Sequence, residues 1–364
     1  MKVLTIGSAM HDIFIQYDYT GTVYVYADNK RQTFVMFEEG RKIEIESLKH
    51  HVGGGALNSA TAFARLGNSV CSFFKTGTDA EHEFIRRKLE EEGIDIAHSV
   101  QATEVPTGNS FVLPCASGDR TILVYRGANL TITSQELPLE AIDSCDLVYI
   151  TPLSGATSGL LPEIAALAKE KGKMVGINPG ASQLTKHIDT LKEALPNIDI
   201  LVLNCCEAQQ LMDALLGSST KQQSTPHQEA TPEMPSLLED SLKPQERYFT
   251  LPQFFTTILE RGPKHVVVTN GKEGVYSTDG NKIYFCPSVK INIVSTLGAG
   301  DAFGSTFTAF LASGSPIKKA MCAGVNNSAS VLLHLDAQTG LLSSEEMEKK
   351  LAEMDPDRIK TFPL

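Results

Sequence analysis

Short, β-rich apolar runs alternate with stretches of helical periodicity along most of the chain, and this alternation restricts the fold more than any other feature. Residues 147–151, 174–178, 200–204 and 265–269 read as buried strands, each followed by a polar or glycine-containing loop. Between them, residues 160–171, 207–216 and 252–261 carry apolar side chains near helical spacing. Strand, helix, strand in series implies parallel pairing, because parallel neighbours need a crossover. The expected fold class is therefore α/β, a doubly wound and mainly parallel sheet flanked by helices. Ligands bind such sheets beyond the carboxyl ends of the strands.

Two regions break the pattern. Residues 13–46 alternate, notably at 33–37 and at 42–46 (KIEIE), which suits strands with one wet face. Residues 107–126 read as a hairpin, with strands around 109–113 and 120–126 and the turn ASGD between them. These pieces either build a small separate sheet or extend the main one. Residues 217–247 hold four of the seventeen prolines and much Ser, Thr, Gln and Glu, the composition of a flexible surface insertion. With 364 residues the chain can bury a core without disulfides or a structural metal.

The formal charge of −11 repels a polyanionic backbone and argues against nucleic acid as a partner. The seven cysteines lack any C-x-x-C spacing, which fits a reducing compartment, so the cytoplasm is the expected location. The apolar run before Gly7 is too short for a signal-peptide core, and no stretch approaches a membrane span.

The densest chemical signal is residues 295–304, STLGAGDAFG, followed by a helical pattern. Gly298, Ala299, Gly300 and Asp301 at a helix start offer free backbone N–H groups to a phosphate, and the helix dipole adds attraction for negative charge. An Asp there can take a proton from a hydroxyl while the loop holds the phosphoryl group that the hydroxyl attacks. Taken alone, Asp301 reads equally as a helix cap. A dinucleotide fingerprint fails on spacing, since Phe303 stands where the third glycine is needed, and a Walker A motif fails at Glu273. A second cluster, Gly53, Gly54 and Gly55 before Asn58, reads either as a tight strand-to-helix turn or as a backbone approach to a ligand with Asn58 on its hydroxyls.

Residues 54–77 (GGALNSATAFARLGNSVCSFFKTG) and STLGAGDAFG together resemble the two signature patterns of the ribokinase-like (PfkB-type) carbohydrate kinase family. Landmarks between them agree in order: Gly7-Ser8 with Asp12, the GAN at 127–129, Asn204-x-x-Glu207, and Thr269-x-Gly271-x-x-Gly274. The resemblance implies one kinase domain over residues 1–364 that moves the γ-phosphoryl group of ATP to a primary hydroxyl of a sugar. It implies Asp301 as catalytic base, with Gly298, Ala299 and Gly300 as the anion hole. Asp12, Gly54, Gly55 and Asn58 would clamp the substrate. Asn204 and Glu207 would organise Mg²⁺ and phosphates, largely through water, while Thr269, Gly271, Gly274 and Asn326 would line the nucleotide. The two irregular regions would form a β lid, from about 13–48 and 104–126, through which family members often dimerise.

Three positions depart from the family pattern. Ser295 stands where many members carry Asp, which weakens the case for a monovalent cation. Thr306 replaces Ala or Gly, and Gly55 replaces the Lys of some ribose-specific members. Two alternatives stay open: an adenosine-type nucleoside kinase of the same fold, with Phe34, Phe37 or Phe111 stacking on a base, and a catalytically silent sugar or nucleotide sensor.

Overall fold

The alternation of strands and helices closes into one large sheet with smaller sheets at its edge. The computed structural model describes residues 1–17, 21–27, 30–115, 120–216, 235–239 and 249–364. In chain order its first strands are β1 (Lys2–Ile6), β2 (Met10–Gln16), β3 (Thr22–Ala27), β4 (Lys30–Val35), β5 (Ser47–Gly53) and β6 (Ser69–Phe73). There follow β7 (Lys75–Thr76), β8 (Val100–Gln101), β9 (Gly108–Pro114), β10 (Arg120–Tyr125), β11 (Leu147–Ile150) and β12 (Met174–Ile177). The last are β13 (Ile200–Asn204), β14 (His265–Thr269), β15 (Val275–Thr278), β16 (Lys282–Cys286) and β17 (Lys360–Pro363).

The helices begin with α1 (Gly55–Arg65), α2 (Ala80–Glu91), α3 (Leu139–Ser144), α4 (Leu161–Glu170), α5 (Ala181–Thr185) and α6 (Ile188–Ala194). They continue as α7 (Cys205–Leu216), α8 (Ser236–Glu239), α9 (Leu251–Leu259), α10 (Ala299–Ala312), α11 (Ile317–Val331) and α12 (Ser344–Ala352).

The main sheet runs β17-β16-β15-β14-β13-β12-β11-β1-β6. Strands β6, β1 and β11 to β14 are parallel, and β15 to β17 add an antiparallel edge. Both faces are covered, as continuous apolar strands require. On β11, Val148 and Ile150 enter the core on one face, while Leu147 and Tyr149 enter the core on the other.

The two irregular regions form separate small sheets instead of extending the main one. One has the order β10-β9-β2-β5, and β3 pairs with β4 in a hairpin of its own. The hairpin expected at 107–126 is β9 with β10, and its turn at 116–119 lies outside the described residues. The KIEIE segment is not a strand: residues 42–46 are irregular and β5 starts at Ser47. Ile43 and Ile45 stay exposed there, because alternation yields a strand only where a neighbouring edge supplies hydrogen bonds and a face to bury.

Most of the expected insertion at 217–247 also lies outside the described residues. The exception is α8, which is not peripheral: Leu237 is buried in the main core and its N–H donates to Tyr276 Oη at 3.2 Å. An apolar Leu-Leu pair within the polar run gives that turn something to bury.

Candidate active site

Asp12, Asn58 and Asp301 come from β2, α1 and α10, and the fold brings them together beyond the carboxyl ends of the parallel strands. Gly54 caps α1 with φ 92°, a conformation that favours glycine, and a Cβ there would fall 2.4 Å from the Ser8 carbonyl oxygen. A Cβ on Gly53 would strike Asp12, and one on Gly55 would lie 2.8 Å from Thr151 Cβ and Oγ1. The glycine run is thus accounted for by contacts within the protein, and the polar groups that reach Asp301 are side chains. Asn58 Nδ2 donates to Asp301 Oδ2 at 2.8 Å, across 243 residues of sequence.

Helix α10 starts where the GAGD motif predicts. Gly298 is its cap in the left-handed region, φ 76°, and a Cβ there would lie 2.4 Å from that of Ala337. The first intrahelical donor is Ala302 N, bonded to Gly298 O at 2.8 Å, so the amides of Ala299, Gly300 and Asp301 precede the helical ladder. Gly300 differs from Gly298: it is exposed, and a Cβ would meet no protein atom within 4 Å. Space is thus left beside Gly300, and an anion approaching this turn would meet free donors and the positive end of the dipole.

A network missed in the sequence holds Asn58. Gln338 Nε2 donates to Asn58 Oδ1 at 3.1 Å, which turns the amide so that its Nδ2 faces Asp301. The Gln338 loop is itself held by Asp336, which accepts from the Gln338 and Thr339 amides at 2.8 Å, and by Arg65, which donates to the Gln338 carbonyl at 2.8 Å. Asp12 sits between Ser110 on β9 and His51 on β5 in the sheet register. Ser110 Oγ donates to Asp12 Oδ1 at 2.5 Å, and His51 Nδ1 lies 3.5 Å from Asp336 Oδ2. None of these single polar residues belongs to a motif, and only strand register could have found Ser110 and His51. Asn129 of the GAN triplet fixes the β1–β2 link: its Oδ1 accepts from Ala9 N at 2.8 Å and its Nδ2 donates to Ala9 O at 2.9 Å.

Crowded carboxyl groups set the electrostatics. Burial, then the charge of Asp12, pushes the Asp301 carboxyl up to about 6, against the hydrogen bond from Asn58. Burial likewise lifts Asp12 to about 6, with Asp336 adding to it and Ser110 opposing. Burial also raises Glu207, and Asp301 contributes there too. Asp336 is the contrast: burial is outweighed by Thr339, two backbone amides and His51, which hold it below the ordinary carboxylate range.

On the nucleotide side, Asn204 ends β13 beside Thr269 at the end of β14. Asn204 and Glu207 form a reciprocal cap on α7: Glu207 N donates to Asn204 Oδ1 at 2.9 Å, and Asn204 N to Glu207 Oε2 at 2.8 Å. The cap aims Glu207 and leaves its Oε1 clear of it, close enough to Asp301 for their charges to interact. Gly271 and Gly274 follow in the turn after β14. Asn326 is held on α11, where its Nδ2 donates to Cys322 O at 3.0 Å and lies 2.8 Å from Met354 Sδ.

Two departures from the family pattern have local reasons. Thr306 Oγ1 accepts from the buried Asn327 Nδ2 at 2.7 Å, tying α10 to α11. Ser295 Oγ accepts from Leu297 N at 3.2 Å, so it closes the turn into the GAGD loop.

The model of the pfkB family of carbohydrate kinases matches residues 19–234 and 252–344. The chain belongs to this family. It is a sugar kinase, a phosphotransferase with an alcohol group as acceptor. The kinase is 28% identical over 316 residues to a ribokinase of Staphylococcus aureus, covering 85% of this chain and 86% of the relative. It shares its fold with an Arabidopsis thaliana ribokinase solved with ribose and ATP, at a TM-score of 0.74 and 19% identity over 97% and 99% of the two chains. A putative ribokinase II from E. coli, solved with ATP and Mg²⁺, aligns with a TM-score of 0.73 and 19% identity, over 97% of the kinase and 99% of that chain.

The two glycines of the α10 turn make a contrast in stability. Gly298→Ala is expected to lower the unfolding free energy by about 2 kcal/mol or more, from left-handed strain and the clash with Ala337. Gly300→Ala, with open space before it, should stay within about 0.5 kcal/mol of wild type in the same chemical denaturation series. Equal losses in both variants would contradict the open cradle.

Proposed function

We propose that the kinase transfers the γ-phosphoryl group of ATP to a primary hydroxyl of a sugar held between Asp12 and Asn58, with Asp301 as general base. The observation that carries this reading is the position of Asp301. It stands in the first turn of α10 beside amides that precede the helical ladder, with open space at Gly300 and one carboxylate oxygen bonded to Asn58. Asp301 accepts the hydroxyl proton through its other oxygen as the sugar oxygen attacks the γ-phosphorus, and the bond to the β-phosphate oxygen breaks to release ADP. The Ala299, Gly300 and Asp301 amides face the charge that builds on the transferred group, a place where fixed donors act strongly. Asp12 orients the sugar from β2, steadied by Ser110.

Mg²⁺ would supply charge neutralisation on the phosphates. Among the described residues no cluster of three His, Cys, Asp or Glu could hold a metal. The one carboxylate of the Asn204–Glu207 pair, Glu207, suits an ion that keeps several waters and arrives with the nucleotide. Thr269, Gly271 and Gly274 line the nucleotide, and Asn326 contributes through α11. All seven cysteines are free, which supports a reducing, cytoplasmic setting.

The sheet β10-β9-β2-β5 acts as a lid over one kinase domain. In support, Arg120 on β10 donates to Thr296 Oγ1, joining the hairpin to the segment that precedes the GAGD loop. Phe111 is exposed and alternates with the buried Ser110 that bonds Asp12, so it belongs to the opposite face of β9. That alternation favours a sugar over a stacked nucleoside. Tyr24, Val25 and Tyr26 on β3 and Leu123 and Tyr125 on β10 are exposed. A second copy of the chain would cover such apolar surface.

Asp301→Asn is expected to lower kcat by roughly 10² or more with ATP and the best sugar of a broad panel. For the wild type, kcat/KM should fall as pH drops through about 6, where Asp301 takes up its proton. The sign for stability is the reverse. A carboxyl raised in the folded state favours folding only while protonated, and that contribution is lost as pH rises through about 6. Asp301→Asn should therefore lose less stability than wild type between pH 5 and pH 8, and an active variant would sink the base assignment. Sedimentation equilibrium tests the dimer: Tyr26→Lys with Tyr125→Lys should shift a wild-type dimer to monomer, and a wild-type monomer contradicts it.

A further inference from the structure

Strands β5, β2 and β9 carry Asp12 and its polar neighbours on one face, and on the other they carry a second polar row that the site above does not use. The buried His11 stands beside Asn109 in the register of β2 and β9, and His50 of β5 lies diagonally across from it. Asn109 Oδ1 lies 3.2 Å from His11 Nδ1, and His50 Nδ1 lies 2.9 Å from His11 Nε2. The two imidazole planes are within 13° of parallel, and Phe84 of α2 packs against both rings, its centroid 5.0 Å from that of His11 and 6.4 Å from that of His50. The row continues past Asn109, whose Nδ2 donates to Thr107 O at 3.1 Å. Thr107 N and Oγ1 in turn donate to the Asp79 carboxylate at 2.7 Å and 2.5 Å. Asp79 caps α2 by accepting from His82 N at 3.1 Å, so the row ends on the helix that supplies Phe84.

For a neutral His11 the protons in this row have one arrangement. A carbonyl can only accept, so Thr107 O takes the Asn109 amide N–H and leaves Oδ1 turned toward His11. That oxygen also can only accept, which puts the His11 proton on Nδ1 and its lone pair on Nε2, where the His50 Nδ1–H arrives. Burial first, then His50, holds His11 below the ordinary imidazole range, against Asn109 and the charges of Glu81 and Asp79 at the start of α2. The neutral ring is therefore the form present at neutral pH.

Successive residues of a strand point to opposite faces, so each member of this row has its chain neighbour in the row that contains Asp12: His50 with His51, His11 with Asp12, and Asn109 with Ser110. A one-residue slip of β2 or β5 would turn Asp12 or His51 away from the site. Apolar burial does not guard β5 against such a slip, because SLKHHVG lacks alternation and Leu48 is exposed. Bonds from one ring to both neighbouring strands do. We propose that His11 is a positioning residue for the sugar: its two ring bonds, to Asn109 and His50, lock β2 in register between β9 and β5 and so aim Asp12. The inference rests on the role proposed above for Asp12.

A double-mutant cycle in steady-state kinetics, run on the full-length kinase with the best sugar of the panel, tests it. His11→Leu removes both ring bonds and is expected to raise the KM for the sugar about tenfold, with kcat and the KM for ATP within about threefold of wild type. His11→Gln keeps one donor and one acceptor and should recover most of that loss. In an Asp12→Ala background, His11→Leu should add less than about twofold, because its effect passes through Asp12. A full effect that persists without Asp12, an equal rise in both KM values, or no effect of His11→Leu where Asp12→Ala raises the sugar KM overturns the positioning role alone. An unchanged sugar KM in Asp12→Ala overturns the sugar clamp and this inference together. The proton arrangement is read on the wild-type protein, whatever the folding of the variants. Long-range ¹H–¹⁵N spectra of the histidine-labelled kinase at pH 8, assigned against His11→Gln, should show His11 protonated on Nδ1 and bare on Nε2, and the opposite tautomer overturns the proposal.

Discussion

One hydrogen bond organises this molecule: Asn58 Nδ2 to Asp301 Oδ2, between the first turns of two helices that lie far apart in the chain. It can form only because each helix starts on a glycine cap with positive φ, Gly54 for α1 and Gly298 for α10, and each cap is pressed against backbone from elsewhere. Behind it Gln338 fixes the Asn58 amide, Asp336 shapes the Gln338 loop, and Arg65 ties that loop to α1. A carboxylate so constrained has one oxygen committed and a defined direction for the other. Phosphoryl transfer needs this kind of alignment more than covalent help.

The same arrangement loads the site with negative charge. Burial raises Asp12, Asp301 and Glu207, and a neighbouring carboxylate adds to each: Asp336 to Asp12, Asp12 to Asp301 and Asp301 to Glu207. Above pH 6 the ionised Asp12 and Asp301 weigh against the folded state, a cost that the surrounding core must offset. A site built this way does not hold phosphates by a net positive surface, and the overall charge of −11 is consistent with that. Backbone amides at α10 and a cation that comes with the nucleotide would do so instead.

Much of this was legible in the sequence, for reasons that particular residues make plain. The buried strands β11 to β14 match their apolar runs almost residue for residue, because both faces of a parallel sheet are covered and a continuous run has no other use. The GAGD and GGG turns were visible because backbone that must approach other backbone needs glycine. The segment 42–46 misled because its alternation lacks a partner strand. Gln338, Ser110 and His51 were invisible because a lone polar residue carries no periodicity, and their meeting with Asn58, Asp12 and Asp336 depends on strand register and on a loop over 200 residues away from Asn58. Leu237 was lost in a polar stretch whose average hid two apolar neighbours.

The central claim is that Asp301 and the first amides of α10 meet the two reacting groups. A crystal structure of the kinase with Mg²⁺, a non-hydrolysable ATP analogue and its best sugar tests this most directly. The account predicts a primary hydroxyl about 3 Å from the Asp301 oxygen that Asn58 leaves free, with the γ-phosphate at the Ala299, Gly300 and Asp301 amides. A sugar bound with no hydroxyl near Asp301, or a γ-phosphate held away from α10, would contradict it.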